Sequence, residues 1–254
     1  MMQLSDFLER LRLAEKSKTL YIKGCIGAPM TAANKRRYTA NNAYNQKPAR
    51  VAMINACSAD VFGFDCVCLI KAALGLWSAD VNKSYGGTQV NKESKGVSYG
   101  PDHVPDVGAD GIVKYLQDVS SDFSHIEVGE VVWKSGHVGV YVGVGQVIEC
   151  SPSWENGVQY TNVKNLGYQE GHSRKWLKHG KLPWVDYNNQ SGQEKPKNET
   201  ISGNGEVIYH IVKRGETLGK IAQKYGTTVK VILGMNPAIV DPNKIYVNQK
   251  IRVK

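Results

Sequence analysis

The sequence predicts an α+β protein in two parts, and three observations carry that expectation. The run from Cys66 to Trp77 is apolar nearly all the way round, apart from Lys71 and Gly75, and it opens on Asp65, a good N-cap, as a buried helix does. Between residues 129 and 150 the apolar period changes to two, with glycines at the turns, which reads as antiparallel hairpins. Residues 209–254 repeat the alternation on a small scale as strand, helix, helix, strand.

Taken in order, Leu4, Phe7, Leu8, Leu11 and Ala14 recur at helical spacing with charges between them, so residues 3–17 form an amphipathic helix. A short extended segment follows at residues 19–24. Residues 25–61 are polar and basic, with Lys35-Arg36-Arg37 and little apolar periodicity, and read as a long surface excursion. Residues 78–108, rich in Gly, Ser, Lys and Asp, read as a second one, with Tyr85 and Tyr99 as ordinary loop anchors. A helix is expected over residues 109–119. Strands are expected at residues 129–133, 136–143 and 146–150, and a closing strand near Leu182, Pro183, Trp184 and Val185. Residues 188–206 hold almost nothing to bury and read as a flexible linker, which divides the chain into 1–187, the linker, and 207–254.

Composition bounds the function. The chain of 254 residues is 41% apolar, enough for a real core, and its formal charge is +9. Residues 209–254 alone hold nine Lys or Arg against two Asp or Glu, so the basic character belongs to the C-terminal piece. The five cysteines, at 25, 57, 66, 68 and 150, lack the even spacing of a secreted disulfide framework and fit free thiols made in a reducing cytosol. Asp6, Glu9, Arg10, Arg12 and Glu15 interrupt the first twenty residues, so no signal peptide is expected, and no stretch is long and apolar enough to insert in a membrane. A protein that works outside the cell would then need another agent, or lysis, to release it.

Cys66 falls at the first position of the predicted helix, where the partial positive charge of the N-terminus favours thiolate and lowers the thiol pKa. The bland alternative is packing, since free cysteine is among the most buried residue types. Cys68 lies about 200° further round the helix and reads as core. A metal site built on Cys66 and Cys68 lacks a second pair of ligands at recognisable spacing, so no metal and no cofactor is expected.

On the 136–143 strand the valines share one face, and His137, Gly139 and Tyr141 share the other, which is taken as the outer face. A three-residue hairpin loop such as Gly143-Val144-Gly145 pairs Gly139 with Glu149 and sets Glu149 diagonal to His137; a loop at 142–144 sets them directly opposite. An even-numbered loop would put them on opposite faces. Each residue alone reads as a solvated strand residue, but with Cys66 the three make a nucleophile, a base and an orienter.

Both parts resemble known families. Residues 209–254, with Tyr209-His210-Ile211-Val212-Lys213-Arg214-Gly215-Glu216-Thr217-Leu218, Tyr225-Gly226-Thr227-Thr228, Asn236-Pro237 and Asn248-Gln249-Lys250-Ile251, resemble a LysM module of βααβ order. The resemblance implies binding to N-acetylglucosamine-containing glycans in a groove between Gly215, Glu216, Thr217 and Leu218 on one side and Asn236, Pro237 and Ile239 on the other. Residues 1–187 resemble an NlpC/P60 peptidase through Phe64-Asp65-Cys66-Val67-Cys68-Leu69-Ile70, Gly129-Glu130-Val131-Val132-Trp133 and Gly136-His137-Val138-Gly139-Val140-Tyr141-Val142-Gly143. That implies a papain-like fold, with a Cys-bearing helix packed on an antiparallel sheet that carries the histidine. Tyr21, in Tyr21-Ile22-Lys23-Gly24, is similar to a tyrosine beside the nucleophile, although the chain places many more residues than usual between the two. Val67 and Cys68 replace the family's Ser-Gly pair, and Glu149 matches its third polar residue.

The reading that follows is a peptidoglycan hydrolase with a Cys66, His137 and Glu149 mechanism. It runs through a thiolate-imidazolium pair, with Asp65 and Tyr21 near the substrate and the oxyanion. The expected context is a phage or prophage endolysin, with a host autolysin second. A peptide-stem endopeptidase is expected, with a muramoyl-alanine amidase as the alternative. A non-catalytic wall-binding protein and an acyltransferase of the same fold are the readings from other classes. Expected partners are bacterial peptidoglycan and anionic wall polymers, without nucleic acid.

Overall fold

The computed structural model describes all residues except 83–97, 170, 189–207, 214, 237–238, 240–241, 243–244 and 246–248. The chain forms two compact units, Met1–Gly192 and Gln193–Lys254. The expected linker lies outside the described residues apart from Asn188.

In the first unit β1 (Met2–Gln3) leads into α1 (Leu4–Lys16), which buries Leu4, Phe7, Leu8, Leu11 and Ala14, the stripe that its spacing predicts. Next come β2 (Thr19–Tyr21), β3 (Ile26–Pro29), α2 (Ala32–Ala40), α3 (Pro48–Ala56), β4 (Phe62–Phe64) and α4 (Cys66–Leu74). After the short pair β5 (Ser98–Tyr99) and β6 (Val104–Pro105) and the single turn α5 (Ala109–Ile112), the chain becomes mostly β. Its strands are β7 (Gln117–Ser120), β8 (Val131–Lys134), β9 (His137–Gly143), β10 (Gln146–Ser151), β11 (Gly157–Val163), β12 (Ser173–Arg174), β13 (Lys178–Lys181) and β14 (Val185–Asp186).

Seven of them make one sheet in the order β12-β11-β10-β9-β8-β13-β7, while β2 and β3 flank β4 in a small sheet of three. All nine residues of α4 are buried, and the helix packs with α1 against β9 and β10. Phe64, Leu69, Ile70, Leu74, Trp77, Val138, Val140 and Ile148 form the centre of this core. Each such side chain contributes on the order of 1.5–3 kcal/mol when taken fully from water. Trp77 ends the run by donating from Nε1 to the Gly27 carbonyl at 2.9 Å. Gly27, at φ +68°, has no room for a Cβ, which would stand 2.5 Å from the Trp77 ring.

The structure corrects the sequence in four places. Residues 25–61 are no bare excursion: β3, α2 and α3 enclose a small core of Ile22, Cys25, Ala28, Met30, Tyr38, Ile54 and Val61. These residues are too widely spaced to show a period. The helix expected over 109–119 stops after α5 and a 3₁₀ turn at Val113–Tyr115, because 117–120 is taken up as the edge strand β7 beside β13. The strand that completes the sheet on that side is β13, inserted between β8 and β7, whereas β14 pairs in parallel with β1. Finally, the His137 face of the sheet is not open. Phe123, Val132, Tyr141, Val147, Val163 and Trp176 cover it with a second core. In the second excursion Tyr85 lies outside the described residues, and Tyr99 is buried, with the Lys71 ammonium 5.1 Å above its ring.

The second unit contains β15 (Tyr209–Ile211), α6 (Leu218–Lys224), α7 (Val229–Met235) and β16 (Lys250–Arg252), with β15 and β16 antiparallel. Thr217 and Thr228 cap the two helices through their hydroxyls. Val212, Leu218, Ile221, Ile232, Ile251 and Val253 make its core. No described helix is long and apolar enough to cross a membrane.

Candidate active site

The start of α4 is fixed first. One Asp65 carboxylate oxygen accepts from the Cys68 amide at 2.8 Å as the N-cap, and the other accepts from the Gly24 amide, also at 2.8 Å. Asp65 thereby ties the turn after β2 to the residue before Cys66. The same turn is held from behind by Asn45, fully buried, whose side chain accepts from the Lys23 amide at 3.0 Å and donates to the Lys23 carbonyl at 2.9 Å. This is how the inserted α2–α3 segment serves the site.

Tyr21 comes close to Cys66 despite the residues between them. It pairs in register with Phe64 in the parallel β2–β4 ladder, and burial, with the neighbouring Cys66 next, pushes its phenol pKa up. Arg50 from α3 bonds the Tyr21 carbonyl and, at 2.7 Å, the Asn156 side chain.

Cys66 is 4% exposed and lines a cleft of about 300 Å³ with Lys23, Asp65 and Val67. Gly108, Ala109, Asp110, Gly111 and Gly136 form the remaining walls. Asp110 holds its wall in place by accepting from the Gly136 amide at 2.7 Å and from Trp133 Nε1 at 2.9 Å. The backbone of Val138, the residue after His137, pulls the Cys66 thiol pKa down, which places the thiol against the start of β9. Cys150 Sγ donates to the Phe64 carbonyl at 3.3 Å and ties β10 to the same region.

The thiol is not the lowered one that its helix position suggests. Burial pushes Cys66 up to about 12 and the Asp65 charge adds to the rise, against the pull of the Val138 and Val67 backbone and of Lys23. A helix N-terminus contributes about 0.3–1 kcal/mol, less than one pKa unit. Desolvation outweighs it. Cys68 is buried core, as its angle predicts, with its thiol pushed well up by the same cause.

His137 and Glu149 meet through Nε2 and Oε2. The turn between their strands is not the three-residue loop of the sequence reading. Gln146 pairs with Gly143 around Val144 and Gly145, an even-numbered loop, but the register then shifts so that Val147 pairs with Tyr141 and Ile148 with Val140. The bulge leaves Val142 unpaired and returns Glu149 to the His137 face.

Glu149 is 0% exposed. Burial raises its pKa, but the hydrogen bond and charge of His137, with the charge of Arg174, outweigh burial and leave it lowered. Arg174 is the residue the sequence did not reveal. From β12 its Nε donates to Glu149 Oε1 at 3.0 Å, and its other end reaches Ser151 Oγ at 3.3 Å. Trp176 stacks on the His137 ring with centroids 5.6 Å apart and planes 11° from parallel. Among the described residues no cluster of His, Cys, Asp and Glu could hold a metal ion.

In the second unit, Leu218 and Ile239 are buried in the core. Glu216 accepts from His210 Nε2 at 2.6 Å and from the Lys213 amide at 2.7 Å. Asn236 bonds Ile232 O, Arg252 O and Arg252 N and so joins α7 to β16. Thr217 is a cap, Gly215 sits at φ +82° in the preceding turn, and Pro237 lies outside the described residues. The side chains of Glu216 and Asn236 thus build the two loops from within.

Comparison with known proteins gives the class of the second unit first: residues 210–254 match the LysM domain family. The chain is also 33% identical over 107 residues to the endolysin of Bacillus phage B103, which covers 38% of this chain and 41% of that protein. It is 32% identical over 105 residues to the endolysin of Bacillus phage PZA, with the same 38% and 41% coverage. The chain therefore spans about two fifths of the length of the curated relatives it matches.

Proposed function

We propose that this protein is a peptidoglycan hydrolase whose first unit, a papain-like NlpC/P60 domain, cleaves an amide bond in the peptide part of the wall. Its LysM domain would bind the N-acetylglucosamine-containing glycan. The observation that supports the reading is the His137–Glu149 pair on adjacent strands, together with a thiol at the head of a helix, lining a cleft that Gly136, the residue before His137, also lines.

With Nε2 engaged by Glu149, neutral His137 donates its Nε2 proton to the carboxylate and keeps the Nδ1 lone pair for the thiol. Because burial holds Cys66 protonated at rest, attack and proton transfer occur together: sulfur adds to the substrate carbonyl as Nδ1 takes the thiol proton. Backbone amides at the start of α4 hold the oxyanion. The imidazolium then protonates the leaving amine, and water, deprotonated by His137, releases the acyl group and regenerates the thiol.

Within this class we favour a peptide-stem endopeptidase over a muramoyl-alanine amidase, acting as an endolysin on the bacterial cell wall. Mass spectrometry of fragments released from purified walls tests the assignment. New amino termini within the stem are expected; stems that begin with a free alanine amine, with bare glycan left behind, would make it an amidase. Cut glycan with every amide intact would overturn the reading.

A further inference from the structure

Glu149 carries two partners, and the reading above uses only one. The carboxylate is wholly buried, with one oxygen on His137 Nε2 and the other on Arg174 Nε at 3.0 Å. Arg174 is itself held on several sides: by Ser151 Oγ at 3.3 Å and by the rings of Trp154 and Trp176, whose centroids lie 4.8 and 5.7 Å from its guanidinium carbon. Trp176 in turn stacks on His137. A guanidinium packed this way is a fixed part of the pair and not a passing surface contact.

A buried carboxylate with an imidazole as its only partner has two outcomes, and neither suits a base. Its uncompensated charge can hold the imidazole as imidazolium, which cannot take a proton, or it can itself take a proton and favour the wrong tautomer. A fixed guanidinium on the second oxygen removes both. The Glu149–Arg174 pair has no net charge, so it accepts the Nε2 proton much as a neutral amide oxygen would, and it stays ionised. Resting on the reading of Cys66 as the nucleophile, we propose that Arg174 is a positioning residue. By sharing the Glu149 carboxylate, it leaves His137 a neutral base correctly oriented to take the Cys66 proton.

The other charged groups around His137 do not supply this function. Lys134 on β8 lies opposite His137 in register, and Asp110 on α5 is engaged with the Gly136 amide and Trp133. Asp65, before α4, is spent on the Cys68 and Gly24 amides. On the far side of Trp154, His172 stacks on the ring and pairs with Glu155 at 3.9 Å. Arg174 is the cation in contact with Glu149.

The test is the titration of His137 by NMR of histidine-labelled full-length protein, in a Cys66→Ala background so that neither turnover nor the thiol enters the curve. Adding Arg174→Gln is expected to raise the His137 midpoint by about one pH unit or more, the size of effect that a single opposite charge at contact produces. In the active enzyme the acid limb of kcat/KM should move the same way. A midpoint that stays put, or falls, would overturn the proposal and leave Arg174 as packing. Should Arg174→Gln fail to fold, the double variant Glu149→Gln with Arg174→Gln replaces it. Removing both charges should keep the midpoint near that of the parent, and a displacement beyond one pH unit would count against charge sharing. The nucleophile assignment fails separately, if Cys66→Ala still cleaves walls, and the titration does not depend on it.

Discussion

His137 Nε2 and Glu149 Oε2 meet because Val142 is bulged out of the ladder between β9 and β10. The turn at Val144 and Gly145 has an even number of residues, which in a regular hairpin would send the two side chains to opposite faces of the sheet. One unpaired residue restores the parity, and the pair depends on it.

Replacing Glu149 by glutamine keeps the shape but leaves the Arg174 charge unbalanced beside His137, which disfavours the imidazolium that forms during turnover. Turnover on walls should fall by about 10²-fold or more, the range of acid–base contributions, while wall binding in a pull-down stays the same. A wild-type rate would reduce Glu149 to a strand residue.

Gly139 lies between the two residues on the same face, and a Cβ there would stand 2.4 Å from Val147 Cγ1 and 3.1 Å from Glu149 Cβ. Gly139→Ala should destabilise the first unit by about 1–3 kcal/mol, as overpacking does, and should lower turnover by displacing Glu149. Urea unfolding measures the first and wall lysis the second. Parental stability together with full lysis would mean that the two strands have room to part.

Asp65 has two effects of opposite sign on the site. Its oxygens cap α4 and hold Gly24, yet its charge raises the Cys66 thiol. Asp65→Asn keeps one acceptor for the Cys68 amide, gives up the one for Gly24 and removes the charge, so the thiol pKa should fall and alkylation by iodoacetamide at a fixed neutral pH should speed up. Asp65→Ala also loses the cap, at a cost of about 0.5–2 kcal/mol. Slower alkylation in the asparagine variant would show that Asp65 does not oppose thiolate formation.

Removing residues 193–254 should leave cleavage of small soluble wall peptides unchanged and weaken lysis of whole walls, because the LysM domain raises the local concentration of enzyme on the polymer. The difference should narrow as salt rises, since the basic C-terminal unit also attracts anionic wall polymers over a Debye length of about 8 Å at physiological salt. Equal loss on both substrates would make the second unit part of the catalytic fold.

The elements legible in the sequence are those whose side chains repeat at a fixed period. α1 shows its buried stripe, α4 its apolar run and cap, and β9 its alternating valines. The α2–α3 segment is not legible because its core residues are scattered between Ile22 and Val61 and meet only in three dimensions. Arg174 was missed because β12 is two residues long and reaches Glu149 only through its parallel pairing with β11. The raised thiol pKa is hidden for a different reason. The helix N-terminus that lowers its pKa is visible in the order of residues, whereas the burial that raises it depends on what packs over Cys66.

The central claim is that Cys66 attacks the wall peptide, and the most direct test compares lysis of purified walls by the parent, Cys66→Ala and Cys68→Ala, with folding checked by circular dichroism and binding by wall pull-down. The account predicts that Cys66→Ala folds, binds walls and releases no peptide above background, while Cys68→Ala still cleaves. Peptide release by Cys66→Ala at the parental rate would contradict it.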